Sequence, residues 1–242
     1  MAKIRLDKFI CEALTLTRSE SHRVIRGGGV EVDGKMQKDI ALKIDSDKSD
    51  VRYKGKALTY KSFHYYILNK PAGYITSTED ERDPTIMEIL PEKIKKMGLF
   101  PVGRLDKDTE GLVLLTDNGA LSHYLLSPKH HVSKKYYLES DLELSEKDVE
   151  AFFQGVDIGE KSLTLPATLE IFENDPKKAY LTLCEGKFHQ VKRMLCAVSK
   201  NVLYLERVAF ATLTLPEDLE RGEVRELTDT ETAELEKLLP VQ

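Results

Sequence analysis

At 242 residues, 41 % of them apolar and 32 % charged, the chain is too long for a minimal module and short for two full-sized domains, so one small domain and one larger one are expected. No run of about 18 apolar residues occurs, which excludes a membrane-spanning helix; "MAKIRLDKFI" has no apolar stretch or cleavage pattern of a secretion signal; and Cys11, Cys184 and Cys196 form no CxxC, so neither a disulfide framework nor a zinc site is expected. The expectation is a cytoplasmic protein without a metal.

The net charge of −5 divides unevenly. Residues 1–62 hold 14 Lys/Arg against 9 Asp/Glu, whereas residues 63–242 hold 22 against 32. A basic head on an acidic body points to a polyanion partner for the head; the bland alternative is an uneven solvated surface. Within the head, Leu6, Phe9, Ile10, Ala13 and Leu14 are spaced i, i+3, i+4, i+7, i+8, one apolar helix stripe. Thr17 stands three residues before Glu20, a capping box that opens a second helix, and "GGG" at 27–29 closes it. Arg18, His22 and Arg26, at i, i+4 and i+8, should line one exposed face of that helix. "VEVDGK" follows, with Val30 and Val32 alternating before an Asp33-Gly34 turn, a hairpin signal.

In the body, the strand pattern "HYYILN" leads into "KPAGY", where Pro71 and Gly73 mark a turn. Next comes "GRLDKDTEGLVLLTDNG" at 103–119, in which Asp106, Asp108, Glu110 and Asp117 crowd around an aliphatic run. Residues 106–117 nearly satisfy a calcium-loop template, with acids at positions one, three and five and Gly at six. The twelfth position is Asp117 rather than Glu, the ninth is Leu114, and Gly98, Pro101 and Gly103 break the helix that should enter the loop. The other reading makes "LVLLTDNG" a buried strand or hairpin arm ending in an Asn118-Gly119 turn. Asp106 then sits on a rigid loop before a core element, and Asp108 and Glu110 point to solvent. From these residues alone, Asp106 reads more readily as a structural group than as a reactive one, since a lone Asp in a Gly-bounded turn is more often structural.

The head string "RLDKFI…TRSESHRVIRGGGVEVDG" resembles the S4 RNA-binding domain, which implies a helical face docked on structured RNA, with Arg5, Arg18, His22 and Arg26 as RNA contacts. The body resembles the pseudouridine synthases: "LNKPAG" at 68–73, "GRLDKDTEGLVLLTDNG", "KKY" at 134–136 and "EGKFHQVKRML" at 185–195 match the family's motifs in the family's order. The short S4 head, "STEDERDPTI" and "SPKHH" look most like the RsuA group, which acts on 16S ribosomal RNA. The resemblance implies an α+β fold: an S4-like domain over residues 1–60, then a catalytic domain over 61–242 built on a mixed, largely antiparallel sheet. One departure stands out, since the family's glycine after Arg-x-x-hydrophobic is here Ala211, which puts a tight backbone approach there in doubt.

That resemblance implies Asp106, Tyr136 and Lys192 as catalytic residues, and Arg104, Asn69, Lys70, His189, Gln190 and Arg193 as substrate-binding ones. Making pseudouridine breaks an N-glycosidic bond, turns the uracil and rejoins it through carbon. A carboxylate suits this chemistry as nucleophile or base, and no redox or phosphate change calls for a cofactor. Val191, Met194, Leu195 and Val198 form a helical stripe with Lys192 at its edge, where it can reach a pocket, while Arg193 lies farther round, toward solvent or RNA. Tyr136 and Tyr137 should point to opposite faces of a strand, and Tyr136 suits stacking on an unstacked uridine. His130 and His131 share no face; with Lys129, Lys134 and Lys135 they read as an RNA rim. The expected partner is ribosomal RNA of the small subunit, bound by a monomer. The alternatives are a synthase acting on 23S ribosomal RNA or a non-catalytic RNA-binding adaptor.

Overall fold

The computed structural model describes residues 3–240, and the chain divides into two compact units, Met1–Phe63 and His64–Gln242. The first unit begins with β1 (Lys3–Arg5), α1 (Leu6–Leu14) and α2 (Arg18–Arg26). Leu6, Phe9 and Ile10 of α1 are buried, with Ala13 and Leu14 packed beside them. Thr17 and Glu20 form the capping box of α2, and the helix ends at Gly27. There follow β2 (Val30–Val32), β3 (Lys35–Gln37), β4 (Lys43–Asp45), β5 (Val51–Tyr53) and β6 (Lys56–Leu58). β1 pairs with β4, and a second sheet has the order β3-β2-β5-β6. Asp33 and Gly34 both have positive φ, 50° and 74°, the two-residue turn that suits the twist of a hairpin.

The second unit opens with β7 (Tyr65–Lys70), α3 (Ile86–Ile89), α4 (Glu92–Lys95), β8 (Phe100–Pro101), β9 (Glu110–Thr116) and α5 (Gly119–Leu126). It continues with β10 (Lys134–Ser140), α6 (Glu146–Gln154), β11 (Thr168–Phe172), β12 (Asp175–Leu183) and α7 (Gln190–Ala197). Last come β13 (Val202–Phe210), β14 (Leu213–Thr214), β15 (Val224–Glu226) and α8 (Asp229–Glu236). Nine strands form one mixed sheet, with β11-β12-β10-β13-β9-β7-β15 as its main path. Its β9–β13 ladder is parallel and the other ladders are antiparallel.

The aliphatic run in the acid-rich stretch is β9, and it is buried on both faces. Leu112 and Leu114 pack into one core with Tyr65 and Ile67, while Val113 and Leu115 pack into the opposite core with Tyr66 and Leu68. A strand covered on both sides reads as a continuous apolar run rather than an alternating one. Gly111, with φ 98°, lies where β9 meets β13: a Cβ there would stand 2.4 Å from the Arg207 carbonyl oxygen. The Asn118-Gly119 pair, read as a hairpin turn, instead starts a helix, because the Asn118 side chain accepts from the Leu121 N–H at 3.0 Å and caps α5. At Ala211, in the turn joining β13 to β14, φ is 54°. The family's glycine thus corresponds to a left-handed backbone position, which this chain fills with a residue that has a Cβ.

Candidate active site

The segment between β8 and β9 is pinned from beneath. Thr76 Oγ1 accepts from the Leu105 N–H and donates to the Leu105 carbonyl, each at 3.0 Å. Lys70 is wholly buried, and its ammonium faces the carbonyls of Thr109 at 2.6 Å, Asp106 at 3.1 Å, Pro71 at 3.2 Å and Lys107 at 3.3 Å. Burial lowers the Lys70 pKa to about 8, against the opposing pull of Glu110, Asp108 and Asp106. The Gly73 N–H donates to the Lys107 carbonyl at 2.8 Å. With its backbone held this way, Asp106 projects its carboxylate into a pocket of about 330 Å³.

The four acids of the stretch go to different places. Asp106 Oδ2 lies 3.2 Å from Lys192 Nζ, and its Oδ1 lies 3.6 Å from His189 Nε2. Asp108 is not a purely solvated neighbour: its Oδ1 is 2.6 Å from Lys192 Nζ, although its side chain is mostly exposed. Burial works to lower the Lys192 pKa, and the bonds to Asp108 and Asp106 outweigh it, so the net direction is upward. Glu110, expected in solvent, is tied down by Tyr204 Oη at 2.7 Å, Arg221 Nε at 2.9 Å and the Ala72 N–H at 3.2 Å. Asp117 accepts from the His64 N–H and ring at 2.7 and 2.8 Å. Among the described residues no group of three His, Cys, Asp or Glu is placed to hold a metal ion.

Tyr136 is buried and Tyr137 partly so, the former at the pocket wall and the latter amid Phe172, Tyr180 and Tyr204 on the other face. Behind Tyr136 sits Arg207, a residue no spacing pointed to. It is fully buried and donates from Nε to the Leu112 carbonyl at 2.8 Å. Its guanidinium carbon lies 5.0 Å above the Phe210 ring, and Nη2 has no hydrogen-bond partner among the described residues. Burial lowers its pKa, and the Tyr136 hydroxyl works against that shift. Lys134 shares the same ring from 5.6 Å and donates to the Val132 carbonyl at 2.9 Å; burial, then the charge of Arg207, lower its pKa.

Arg104 is exposed at the pocket, and His189 lies beside Asp106. Four expected substrate contacts make bonds within the protein, and of these Gln190 also lines the pocket. Lys70 clamps the loop. Asn69 is buried, donating to the Leu219 carbonyl and accepting from Arg221. Gln190 is buried between the Lys187 N–H and Glu185. Arg193 binds Glu160, the Phe188 carbonyl and the Ile158 carbonyl rather than facing solvent. In the first unit, Arg18 and Arg26 are exposed, whereas His22 is half-buried, and Arg5 and His22 both bond to the buried Asp7. The Arg5 guanidinium, and then His22, hold the Asp7 carboxyl down at about 2. Lys129 and His130 are exposed, His130 stacked on Tyr124; Lys135 leaves the expected rim to pair with Glu170. Only the resemblance signalled Lys192 and Tyr136, and nothing in local sequence signalled Thr76, Arg207 or Arg221.

The family model described as RNA pseudouridylate synthase matches residues 64–197, and that of the S4 domain matches residues 4–49. The ribosomal small subunit pseudouridine synthase A of Escherichia coli (strain K12) is 42 % identical over 232 residues, covering 95 % of this chain and 99 % of its own length. The uncharacterized RNA pseudouridine synthase YtzG of Bacillus subtilis (strain 168) is 41 % identical over 230 residues, covering 94 % and 96 %. A pseudouridylate synthase crystal structure matches with a TM-score of 0.67 and 39 % identity, over 98 % of this chain and all of that one.

Proposed function

The chain belongs to the RNA pseudouridylate synthase family, and from that premise we propose that it converts a uridine of small-subunit ribosomal RNA to pseudouridine with Asp106 as its reagent. The reaction is an isomerisation: the bond from the ribose C1′ to uracil N1 breaks and one to C5 forms, C5 losing a proton and N1 gaining one. The small-subunit substrate is supported by the name of the Escherichia coli relative and its near-complete overlap with this chain.

The observation that carries the reading is the Asp106 carboxylate, aimed into a pocket from a loop locked by Lys70 and Thr76 and paired with Lys192 at 3.2 Å. A carboxylate held on a fixed loop at the edge of a pocket suits the role of nucleophile or base. A uridine must leave its stack to reach it. We assign the Tyr136 ring, at the pocket wall, to contact the uracil, and Arg104, exposed at the pocket, to grip the RNA around the gap; their positions in the pocket lining support this reading.

Asp106→Asn tests this directly. The amide is nearly isosteric, so folding and RNA affinity should persist while pseudouridine formation falls below detection by mass spectrometry of the RNA. Asp108→Asn should keep most activity, because Lys192 retains Asp106 as its partner. Substantial turnover by an Asp106→Asn sample shown to be free of deamidation would exclude Asp106 as the reagent.

A further inference from the structure

Phe188 is 75 % exposed, more than any other large apolar side chain among the described residues. Its ring stacks on His189, with centroids 3.8 Å apart and planes within 18°. Since His189 Nε2 lies 3.6 Å from Asp106 Oδ1, the two-ring stack runs outward from the reacting carboxylate. The inner ring touches the site, and the outer face of Phe188 meets water.

The frame beneath these rings is firm. Arg193 donates to the Phe188 carbonyl at 3.0 Å and is itself anchored on Glu160 at 2.9 Å. Gln190 joins the Lys187 N–H to Glu185. His189 holds φ at 47°, in the left-handed region. These bonds tie down the backbone that carries the Phe188 ring, whose face is open to solvent. Arg104, Lys187 and Lys192 line the pocket that His189 also lines, beside the exposed Phe188 ring, so the surroundings suit a polyanion that also presents flat apolar surfaces. Single-stranded nucleic acid has both properties, and base stacking on an exposed aromatic ring is its usual mode of capture.

We propose that the outer face of Phe188 is the stacking platform for the nucleobase next to the target uridine, holding the RNA strand open while the uridine occupies the pocket. This rests on the RNA-substrate reading above and adds a binding subsite and a selection rule: the enzyme needs a base at one flanking position. When the uridine flips out, its neighbour loses a stacking partner, and Phe188 replaces it.

The test is a cycle between protein and RNA. The substrate is a small-subunit ribosomal RNA fragment that the wild-type enzyme converts, made intact and with an abasic site on either side of the target. Phe188→Ser should raise KM roughly tenfold to a hundredfold with little change in kcat, the range of one lost base–aromatic stack. An abasic site at one flank should raise the wild-type KM by a similar factor and leave the Phe188→Ser enzyme almost unaffected. Phe188→Trp should restore the wild-type KM. The thermal midpoint of Phe188→Ser should not move, since the ring is exposed. A wild-type KM for Phe188→Ser, or losses from protein and RNA changes that multiply, would overturn the platform while leaving the enzyme's activity established. A wild-type enzyme that converts no small-subunit RNA would instead overturn the substrate reading, and the platform with it.

Discussion

Lys192 answers to two carboxylates at once, and it lies nearer to Asp108 than to Asp106. Asp108 is largely exposed, so that bond is screened and contributes little to stability. Replacing Lys192 with Met removes the ammonium that both carboxylates share, so kcat should fall roughly tenfold to a hundredfold while the melting temperature changes little. A wild-type kcat would show that the pairing does not act on catalysis. Ala211 offers a second single-residue test. Its φ of 54° carries the usual penalty for a side chain in the left-handed region, part of which glycine would return to the unfolded chain as entropy. Ala211→Gly should therefore stabilise the protein by about 0.5 kcal/mol, read from urea denaturation.

At the scale of elements, the strand–turn ending in Lys70 and the loop carrying Asp106 act as one unit, because one buried ammonium faces four carbonyls across them. Lys70→Met should loosen the loop and lower kcat roughly a hundredfold, the scale of loss for small misplacements of a reacting group. The lysine also leaves a pH signature. Its native pKa, about 8, lies below the ordinary 10.5. Below pH 8 it is charged in both folded and unfolded states, and the burial penalty is constant. Between about pH 8 and 10.5 the native protein has released the proton and the unfolded chain has not, so stability rises with pH. Measured against Lys70→Met, wild type should gain on the order of 3 kcal/mol across that window. An unchanged difference would mean that Lys70 keeps its proton in the folded protein across that window, as a solvated lysine does.

For the whole molecule, the division of charge follows the division into units: the basic residues of the first stand on a compact S4 domain, and the synthase unit carries the acidic excess. Arg18 and Arg26 are exposed on α2, while Arg5 and His22 are organised by Asp7. If α2 docks on RNA phosphates, Arg18→Glu combined with Arg26→Glu should weaken binding and flatten the slope of log affinity against log salt by about two, since each lost contact keeps its counterions on the RNA. Equal affinity and slope in the double variant would place the RNA elsewhere.

The sequence by itself determined what depends on neighbours along the chain. The apolar stripe of α1, the Thr17–Glu20 capping box, the Asp33-Gly34 turn and the buried aliphatic strand β9 follow from local patterns and caps that act over a few residues. The order of the family motifs likewise identified the synthase unit. Asn118-Gly119 marks the boundary of such reasoning, because the same pair serves a hairpin or a helix cap and the following helix decides which. Only the tertiary structure decided where each acid goes. Asp106 and Asp108 meet Lys192 from α7, Glu110 meets Tyr204 of β13 and Arg221 ahead of β15, and Asp117 meets His64 ahead of β7. These partners are brought together by strand register in the sheet and by packing on its two faces. An ion pair between residues so far apart in the chain leaves no periodic trace in the sequence, because its geometry belongs to the folded sheet.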